Sequence, residues 1–169
     1  MEESVRGEMV ALLPRLRRFA IGLTGSVADG GDLVQATYER AIRFIDQWQA
    51  GSRLDSWMFR IARNAHLNEI RARGVRSRHL REVVVEDVAV VDGEREMEAR
   101  LTLANVRRML TRLPEEQRSA LLLVSVEGLS YAETARVLEL PIGTVTSRVA
   151  RARGALKRLV DEGEMEAGS

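Results

Sequence analysis

The chain has 169 residues, of which 45% are hydrophobic and 30% are charged, and its formal net charge is +1. It contains no cysteine and only two histidines. This composition excludes a disulfide framework, a thiolate zinc site and an all-histidine metal centre, so we expect no metal and no other cofactor. No apolar run is long enough to span a membrane, and the chain opens with acidic residues rather than a secretory signal. The sequence therefore predicts a cytoplasmic protein.

The short motifs that mark common enzymes are missing. The sequence has no HExxH motif, no phosphate-binding glycine loop and no Ser-His-Asp set. Carboxylates scattered over helices are usually solvated charges. We therefore predict that the protein is not an enzyme.

Charge is distributed unevenly along the chain. Residues 1–81 carry 14 arginines against 9 acids, residues 82–99 carry 1 arginine against 7 acids, and residues 100–169 carry 11 bases against 9 acids. Two basic regions thus flank an acidic middle. This pattern is compatible with nucleic-acid binding and equally with an ordinary solvated surface.

Apolar residues recur at helical spacing through most of the sequence, which predicts an all-α fold. The first helix should run from Ser4 to Leu23. The second should run from about Asp29 or Asp32 to about Trp48, and the third from about Asp55 to about Arg73, where Gly74 would end it.

The middle of the chain has no helical period. The stretch from about Val75 to Asp92 holds the acidic run and a strand-like segment, Val83 to Val91, and we interpret it as a flexible linker rather than as a strand laid on a domain. Helices are predicted again from about Glu94 to Leu113 and from Glu115 to Val126. The predicted organisation is two helical domains, 1–74 and 94–161, a linker 75–93 and a disordered tail 162–169.

Ser130 to Glu133 has the sequence of a capping box, in which the serine hydroxyl and the glutamate carboxylate each bond to the other residue's backbone amide. A helix should start there and run to Leu138. After the short turn Glu139 to Ile142, a second helix should open at Gly143 or Thr144. Two helices joined in this way form a helix-turn-helix unit.

The second helix of this unit is amphipathic. Its apolar residues share a narrow sector: Val145, Val149, Ala152, Leu156 and Leu159. Its polar residues lie opposite: Thr144, Ser147, Arg148, Arg151 and Arg158. Such a helix can enter the major groove, where Arg148 and Arg151 would be bidentate donors to guanine. The alternative is an ordinary solvated arginine face.

The motifs Leu113–Arg118, Glu127–Tyr131, Gly143–Arg148 and Arg151–Arg153 resemble domain 4 of extracytoplasmic-function (ECF) sigma factors of bacterial RNA polymerase. The resemblance implies that the second helix binds the minus-35 promoter element and that the polymerase flap packs on this domain. The residues expected at the minus-35 element are Thr144, Thr146, Ser147, Arg148 and Arg151. One departure is Glu139, where many relatives have glycine.

The third predicted helix carries a basic stripe. The stripe consists of Arg60, Arg63, Asn64, Leu67 and Arg71. The other side of the helix should be core: Trp57, Met58, Ile61, Ala62 and Ala65. On sequence alone the stripe could bind phosphates or could be a solvated face.

The motifs Asp32–Gln35, Arg40-Ala41, Trp57–Arg60 and Arg63-Asn64 resemble domain 2 of the same family. The resemblance implies that the second helix docks on the clamp helices of the polymerase large subunit and that the loop from Gln49 to Arg53 holds a base flipped from the minus-10 strand. The residues expected to bind core polymerase are Asp32, Gln35 and Arg40. Those expected at the minus-10 element are Arg53, Trp57, Arg60, Arg63, Asn64 and Arg71.

Four positions depart from the domain 2 pattern. Gly30, Gly31 and Ala36 stand where relatives commonly have acids, and Asn68 stands where aspartate is usual. These changes could weaken core binding or mark a subgroup with other contacts.

Together the residues and the resemblance predict an ECF-type sigma factor that directs promoter recognition, local DNA melting and transcription initiation. Its expected partners are core RNA polymerase, promoter DNA and an anti-sigma factor. Two alternatives stay open. One is a stand-alone helix-turn-helix regulator that binds a palindrome as a dimer. The other is a sigma mimic that sequesters an anti-sigma factor.

Overall fold

A computed structural model describes residues 3–76 and 94–167, and every element within those ranges is helical. The helices are α1 (Glu3–Thr24), α2 (Val27–Arg43), α3 (Leu54–Arg76), α4 (Glu94–Thr111), α5 (Glu115–Leu121), α6 (Tyr131–Leu138) and α7 (Ile142–Ala167). A 3₁₀ turn (Ile45–Gln47) follows α2, and a π-helical segment (Leu122–Val126) continues α5. The prediction of an all-α fold is confirmed over this part of the chain. The predicted linker and its strand-like segment, Val83 to Val91, lie outside it from residue 77 onward.

Helices α1 to α3 form an N-terminal body around two aromatic rings. Phe19 and Phe59 are fully buried, and their rings meet edge to face with centroids 5.1 Å apart. Helix α2 begins at an N-cap, where the Ser26 hydroxyl accepts a hydrogen bond from the Asp29 amide. Gly30 lies so close to α1 that a Cβ built on it would stand 2.6 Å from the Ile21 side chain and 3.0 Å from its backbone. Glycine therefore permits the close approach of α1 and α2.

Helices α4 to α7 form a C-terminal body. Its core is apolar and fully enclosed, with Leu123, Val145, Val149 and Ala152 at 0% exposure. Gly128 ends the π-helical segment with a positive φ of 71°, which glycine adopts without strain. The predicted end of the helix that starts at Glu115, at Val126, is confirmed.

The two bodies pack directly on one another. Helix α1 contacts α4, α5 and the π-helical segment, and α3 contacts α6. The built Cβ of Gly22 in α1 would lie 2.8 Å from a methyl carbon of Leu122, so the two segments touch where α1 has no side chain. Buried residues of both bodies consequently belong to one continuous hydrophobic cluster.

Several predicted boundaries are wrong. Helix α2 ends at Arg43 rather than near Trp48, and the 3₁₀ turn then lets Ile45 and Trp48 pack partly against the core. Helix α3 continues through Gly74, which is exposed and touches nothing. An exposed helical glycine costs only about 1 kcal/mol relative to alanine, which a 23-residue helix tolerates.

The last helix also differs from the prediction. It begins at Ile142, one residue early, and it runs on to Ala167. The helix thus extends into the segment 162–169, which the sequence analysis predicted to be a disordered tail. Glutamate and alanine have high helix propensities, and adding residues to an existing helix is easier than starting a new one.

Candidate nucleic-acid interface

The capping box sets the start of the helix-turn-helix unit. The Ser130 hydroxyl accepts a hydrogen bond from the Glu133 amide at 3.1 Å, and the Ser130 amide donates to Glu133 Oε2 at 2.8 Å. The prediction is confirmed in both halves. The hydrogen bond from the Ser130 amide, helped by the nearby Arg53 guanidinium, holds the pKa of Glu133 below its usual value.

The turn between α6 and α7 keeps the geometry that glycine would give. Glu139 has φ 56° and ψ 48°, and its amide donates to the Ala135 carbonyl oxygen. This is the left-handed conformation in which a helix commonly ends on glycine. The departure at Glu139 therefore changes the residue and leaves the turn intact.

Helix α7 buries the apolar sector expected from its sequence. Val145, Val149 and Ala152 are fully buried, while Leu156 and Leu159 are half-buried. The packing of this sector fixes the rotation of α7, so its polar side faces outward.

The predicted minus-35 residues occupy that outward side to different degrees. Thr146, Ser147 and Arg151 are exposed, and Thr144 and Arg148 are half-buried. The hydroxyls of Thr146 and Ser147 donate to backbone carbonyls one turn earlier, each at 3.0 Å. Arg148 forms an ion pair with Glu116 of α5 at 3.5 Å. Arg151 thus offers the most accessible guanidinium of the set.

The predicted minus-10 residues are split between open surface and the contact between the two bodies. Asn64 and Arg71 are exposed, and Trp57 is half-buried against the core. Arg60 Nη2 donates to the Arg136 carbonyl oxygen at 2.8 Å. The structure therefore does not place the stripe on one free face, although its members do lie together on α3.

Two more members of this set contact acids of the C-terminal body. Arg63 Nε lies 3.7 Å from a Glu115 carboxylate oxygen. Arg53 is hydrogen-bonded to Asp55 and also pairs with Glu133. Burial alone would raise the pKa of Asp55, but hydrogen bonds from Arg53 and Arg15 outweigh it and lower that pKa.

The three predicted polymerase-binding residues lie on α2 and differ in their surroundings. Asp32 and Gln35 are exposed and Arg40 is half-buried. Asp32 and Arg40 line a cleft of about 390 Å³ between α2 and α3, whereas Gln35 lies outside the cleft and donates to Glu39 at 3.0 Å. The cleft wall includes His66, which is 7% exposed.

The structure shows the surroundings of two residues that depart from the domain 2 pattern, Ala36 and Gly30. Ala36 lines the same cleft, so a methyl group stands where relatives commonly have a carboxylate. Gly30 is buried against α1, and an acidic side chain at that position would clash with Ile21. Gly31 is exposed with open space around its Cα, so packing does not explain its identity.

Sequence reasoning missed the group that bridges the two bodies. Glu127 follows the apolar π-helical segment, and its side chain has 0% exposure. Its carboxylate accepts hydrogen bonds from Arg15 at 3.3 Å and from Arg18 at 3.0 and 3.1 Å. Arg15 also lies over the Phe59 ring, with its guanidinium carbon 5.2 Å from the centroid. No local pattern could have paired residues 112 positions apart.

Within residues 3–76 and 94–167 no group of three or more His, Asp or Glu side chains is arranged to hold a metal ion. None of the helices in those ranges is long and apolar enough to cross a bilayer.

Family models match both bodies. A model described as Sigma-70, region 4 matches residues 103–156, and one described as the Sigma2 domain of PhyR matches residues 9–63.

Curated relatives resemble nearly the whole chain. The ECF RNA polymerase sigma factor EcfG of Rhodopseudomonas palustris is 36% identical over 160 residues, which cover 95% of this chain and 87% of the relative. The ECF sigma factor SigC of Mycobacterium tuberculosis is 38% identical over 144 residues, covering 80% and 72%.

Solved structures are similar to this chain over most of its length. The sigma factor RpoE of Bartonella quintana, in complex with the anti-sigma factor NepR, has a TM-score of 0.80 and 34% identity over 95% of this chain and 98% of that one. CnrH, in complex with the cytosolic domain of CnrY, has a TM-score of 0.71 and 26% identity over 94% and 88%. Because the region 4 model matches the C-terminal body and relatives at 36% and 38% identity are matched over most of their length, the chain belongs to the extracytoplasmic-function family of RNA polymerase sigma factors.

Proposed function

We propose that this chain binds core RNA polymerase in the cytoplasm and directs it to promoters with two elements, and that it has no catalytic activity of its own. The observation that carries the proposal is the rotation of α7 within the helix-turn-helix. Its apolar sector is locked into the core by Val145 and Val149, both at 0% exposure. Ser147 and Arg151 are exposed on the opposite side.

In this proposal α7 lies in the major groove at the minus-35 element. Arg148 and Arg151 donate to guanine edges, and Thr144, Thr146 and Ser147 contact neighbouring bases or phosphates. Arg148 first leaves Glu116, which is 65% exposed and rehydrates at little cost.

At the minus-10 element the N-terminal body would hold the separated strand. The loop from Gln49 to Arg53 contains Gly51 with φ 89° and is exposed throughout, which suits a loop that accepts a flipped base. The strand backbone would be contacted by Arg60, Arg63, Asn64 and Arg71. Trp57 would pack beside the flipped base. Asp32, Gln35 and Arg40 would face the polymerase clamp.

Control by an anti-sigma factor is part of the proposal. Its support is that the similar sigma factor RpoE of Bartonella quintana was solved in complex with the anti-sigma factor NepR. A sigma mimic is the rival, since the N-terminal body matches the Sigma2 domain of PhyR and a PhyR structure is described as an anti-anti-sigma factor. The exposed polar side of α7 favours promoter binding instead.

The test is transcription in vitro by core polymerase with this chain, using the double variant Arg148→Ala, Arg151→Ala. We expect promoter-specific initiation to be lost while co-elution with core polymerase persists. A matched control is Arg112→Ala, Lys157→Ala, which removes two exposed positive charges elsewhere on the C-terminal body. Full initiation by the first double variant would refute the assignment of α7, and equal loss in both would attribute the effect to net charge.

A further inference from the structure

Two aromatic residues flank the 3₁₀ turn that leads into the loop from Gln49 to Arg53. Phe44 is 43% exposed although its side chain is large and apolar. Trp48 is half-buried, and its side chain packs partly against the core. The Trp48 amide donates to the Ile45 carbonyl oxygen at 3.0 Å, which fixes the backbone at this point. The turn therefore places an exposed and a half-buried aromatic residue directly before the loop.

The indole nitrogen of Trp48 lacks a partner. Its Nε1 atom is buried and has no hydrogen-bond partner among the described residues. Indole nitrogen can only donate, so this N–H group needs an acceptor. A buried donor without an acceptor lowers the stability of a fold, and phenylalanine would supply an aromatic ring without that penalty. The presence of tryptophan at this position is explained if the acceptor belongs to a bound molecule.

The loop next to Trp48 is loosely attached to the rest of the N-terminal body. All of its residues are exposed. Its hydrogen bonds up to Ser52 are internal, since the Ser52 amide and hydroxyl both donate to the Gln49 carbonyl oxygen, at 3.0 and 2.7 Å. Gly51 has a φ of 89°, which glycine adopts without strain. A base that enters the loop can therefore displace residues 49–52 without breaking the hydrogen bonds that hold the helices.

We propose that Trp48 determines base specificity in the minus-10 element, because its indole N–H donates a hydrogen bond to an acceptor atom of the base that the loop holds. The inference rests on the proposed function, which assigns a flipped base to this loop. Phe44 offers an exposed aromatic ring for stacking, which tolerates every base. The indole N–H distinguishes the bases, since it bonds to a ring nitrogen or a carbonyl oxygen and disfavours an amino group at the same point.

A promoter library randomised over the minus-10 element tests this inference. It is transcribed by core polymerase with the wild-type chain or with Trp48→Phe, which keeps an aromatic ring and loses the donor. Sequencing of the transcripts gives the relative initiation for each base at each position. At one position we expect Trp48→Phe to reduce the preference for the favoured base by about three- to tenfold, the size of one hydrogen bond. Preferences at the other positions should not change.

Phe44→Leu is the matched control. It removes the other aromatic ring of the turn and no hydrogen-bond donor. We expect initiation to fall about equally for all four bases, with the base preference kept, because stacking depends little on base identity. Urea denaturation followed by circular dichroism checks that both variants are folded.

A second measurement leaves the protein unchanged. Each strongly preferred base of the minus-10 element is replaced in turn by deaza analogues, in which C–H replaces a ring nitrogen, and by thio analogues, in which sulfur replaces a carbonyl oxygen. One analogue should lower initiation by the wild-type chain about three- to tenfold. It should not lower initiation by Trp48→Phe further, because the same hydrogen bond is already lost.

Each outcome decides a separate point. A changed preference at one position with Trp48→Phe, matched by one analogue and absent with Phe44→Leu, supports the inference. An unchanged base profile in folded Trp48→Phe overturns it and leaves the proposed function intact, and so does an equal loss for all bases. If Trp48→Phe does not fold, the absence of any analogue effect on the wild-type chain overturns the inference. No initiation by the wild-type chain overturns the proposed function, and this inference with it.

Discussion

Replacing Glu127 by glutamine tests the bridge between the two bodies. The Glu127 side chain is fully buried, and its carboxylate accepts three hydrogen bonds from Arg15 and Arg18. Glutamine keeps the size of the side chain and one acceptor oxygen but loses the charge.

The expected loss of stability depends on the burial of Glu127 and on the exposure of its two arginine partners. Removing one partner of a fully buried ion pair costs about 3–5 kcal/mol. Here the two arginines are 31% and 53% exposed, so water recovers part of their charge. We expect the free energy of unfolding to fall by about 1–3 kcal/mol, and the Tm by about 2–4 °C for each kcal/mol.

Urea denaturation followed by far-ultraviolet circular dichroism measures this loss. Glu133→Gln is the matched control, because it also neutralises a carboxylate that pairs with an N-terminal arginine, but an accessible one. Glu133→Gln should lower the free energy of unfolding far less than Glu127→Gln. Equal small effects from the two substitutions would refute the reasoning that the buried carboxylate couples the bodies.

Three further predictions concern single side chains. Ser130→Ala removes the acceptor for the Glu133 amide and should lower the free energy of unfolding by about 1 kcal/mol in urea titrations. Burial, opposed by the Glu115 carboxylate, lowers the pKa of His66, so the unfolded chain protonates first. Stability should therefore be full above about pH 6.5 and fall below it, and His66→Gln should flatten that slope in pH-dependent melting. Glu139→Val should cost about 1–3 kcal/mol by calorimetry because a β-branched residue is strained at φ 56°, whereas Glu139→Gly should not be destabilising.

The elements that local chemistry specifies could be predicted from the sequence. The capping box needs only Ser130 and Glu133 in register, and the buried sector of α7 follows from the spacing of Val145, Val149 and Ala152. Both are properties of one helix turn or one helix face.

The packing of the two bodies on one another could not be predicted in this way. It depends on Glu127 meeting Arg15 and Arg18 across more than a hundred residues, and on Gly22 leaving room for Leu122. The residues of the basic stripe all lie on α3, but the surroundings of Arg60 and Arg63 are set by the other body. The pattern of α3 gave no sign that Arg60 and Arg63 would face acids rather than solvent.

Transcription in vitro from a fragmented genomic library tests the central claim most directly. Core RNA polymerase is supplied with or without this chain, and new start sites are mapped by sequencing. The account predicts discrete starts that depend on the chain and share two upstream sequence elements. The absence of such starts, together with tight DNA binding by the chain alone, would contradict it and favour a stand-alone regulator.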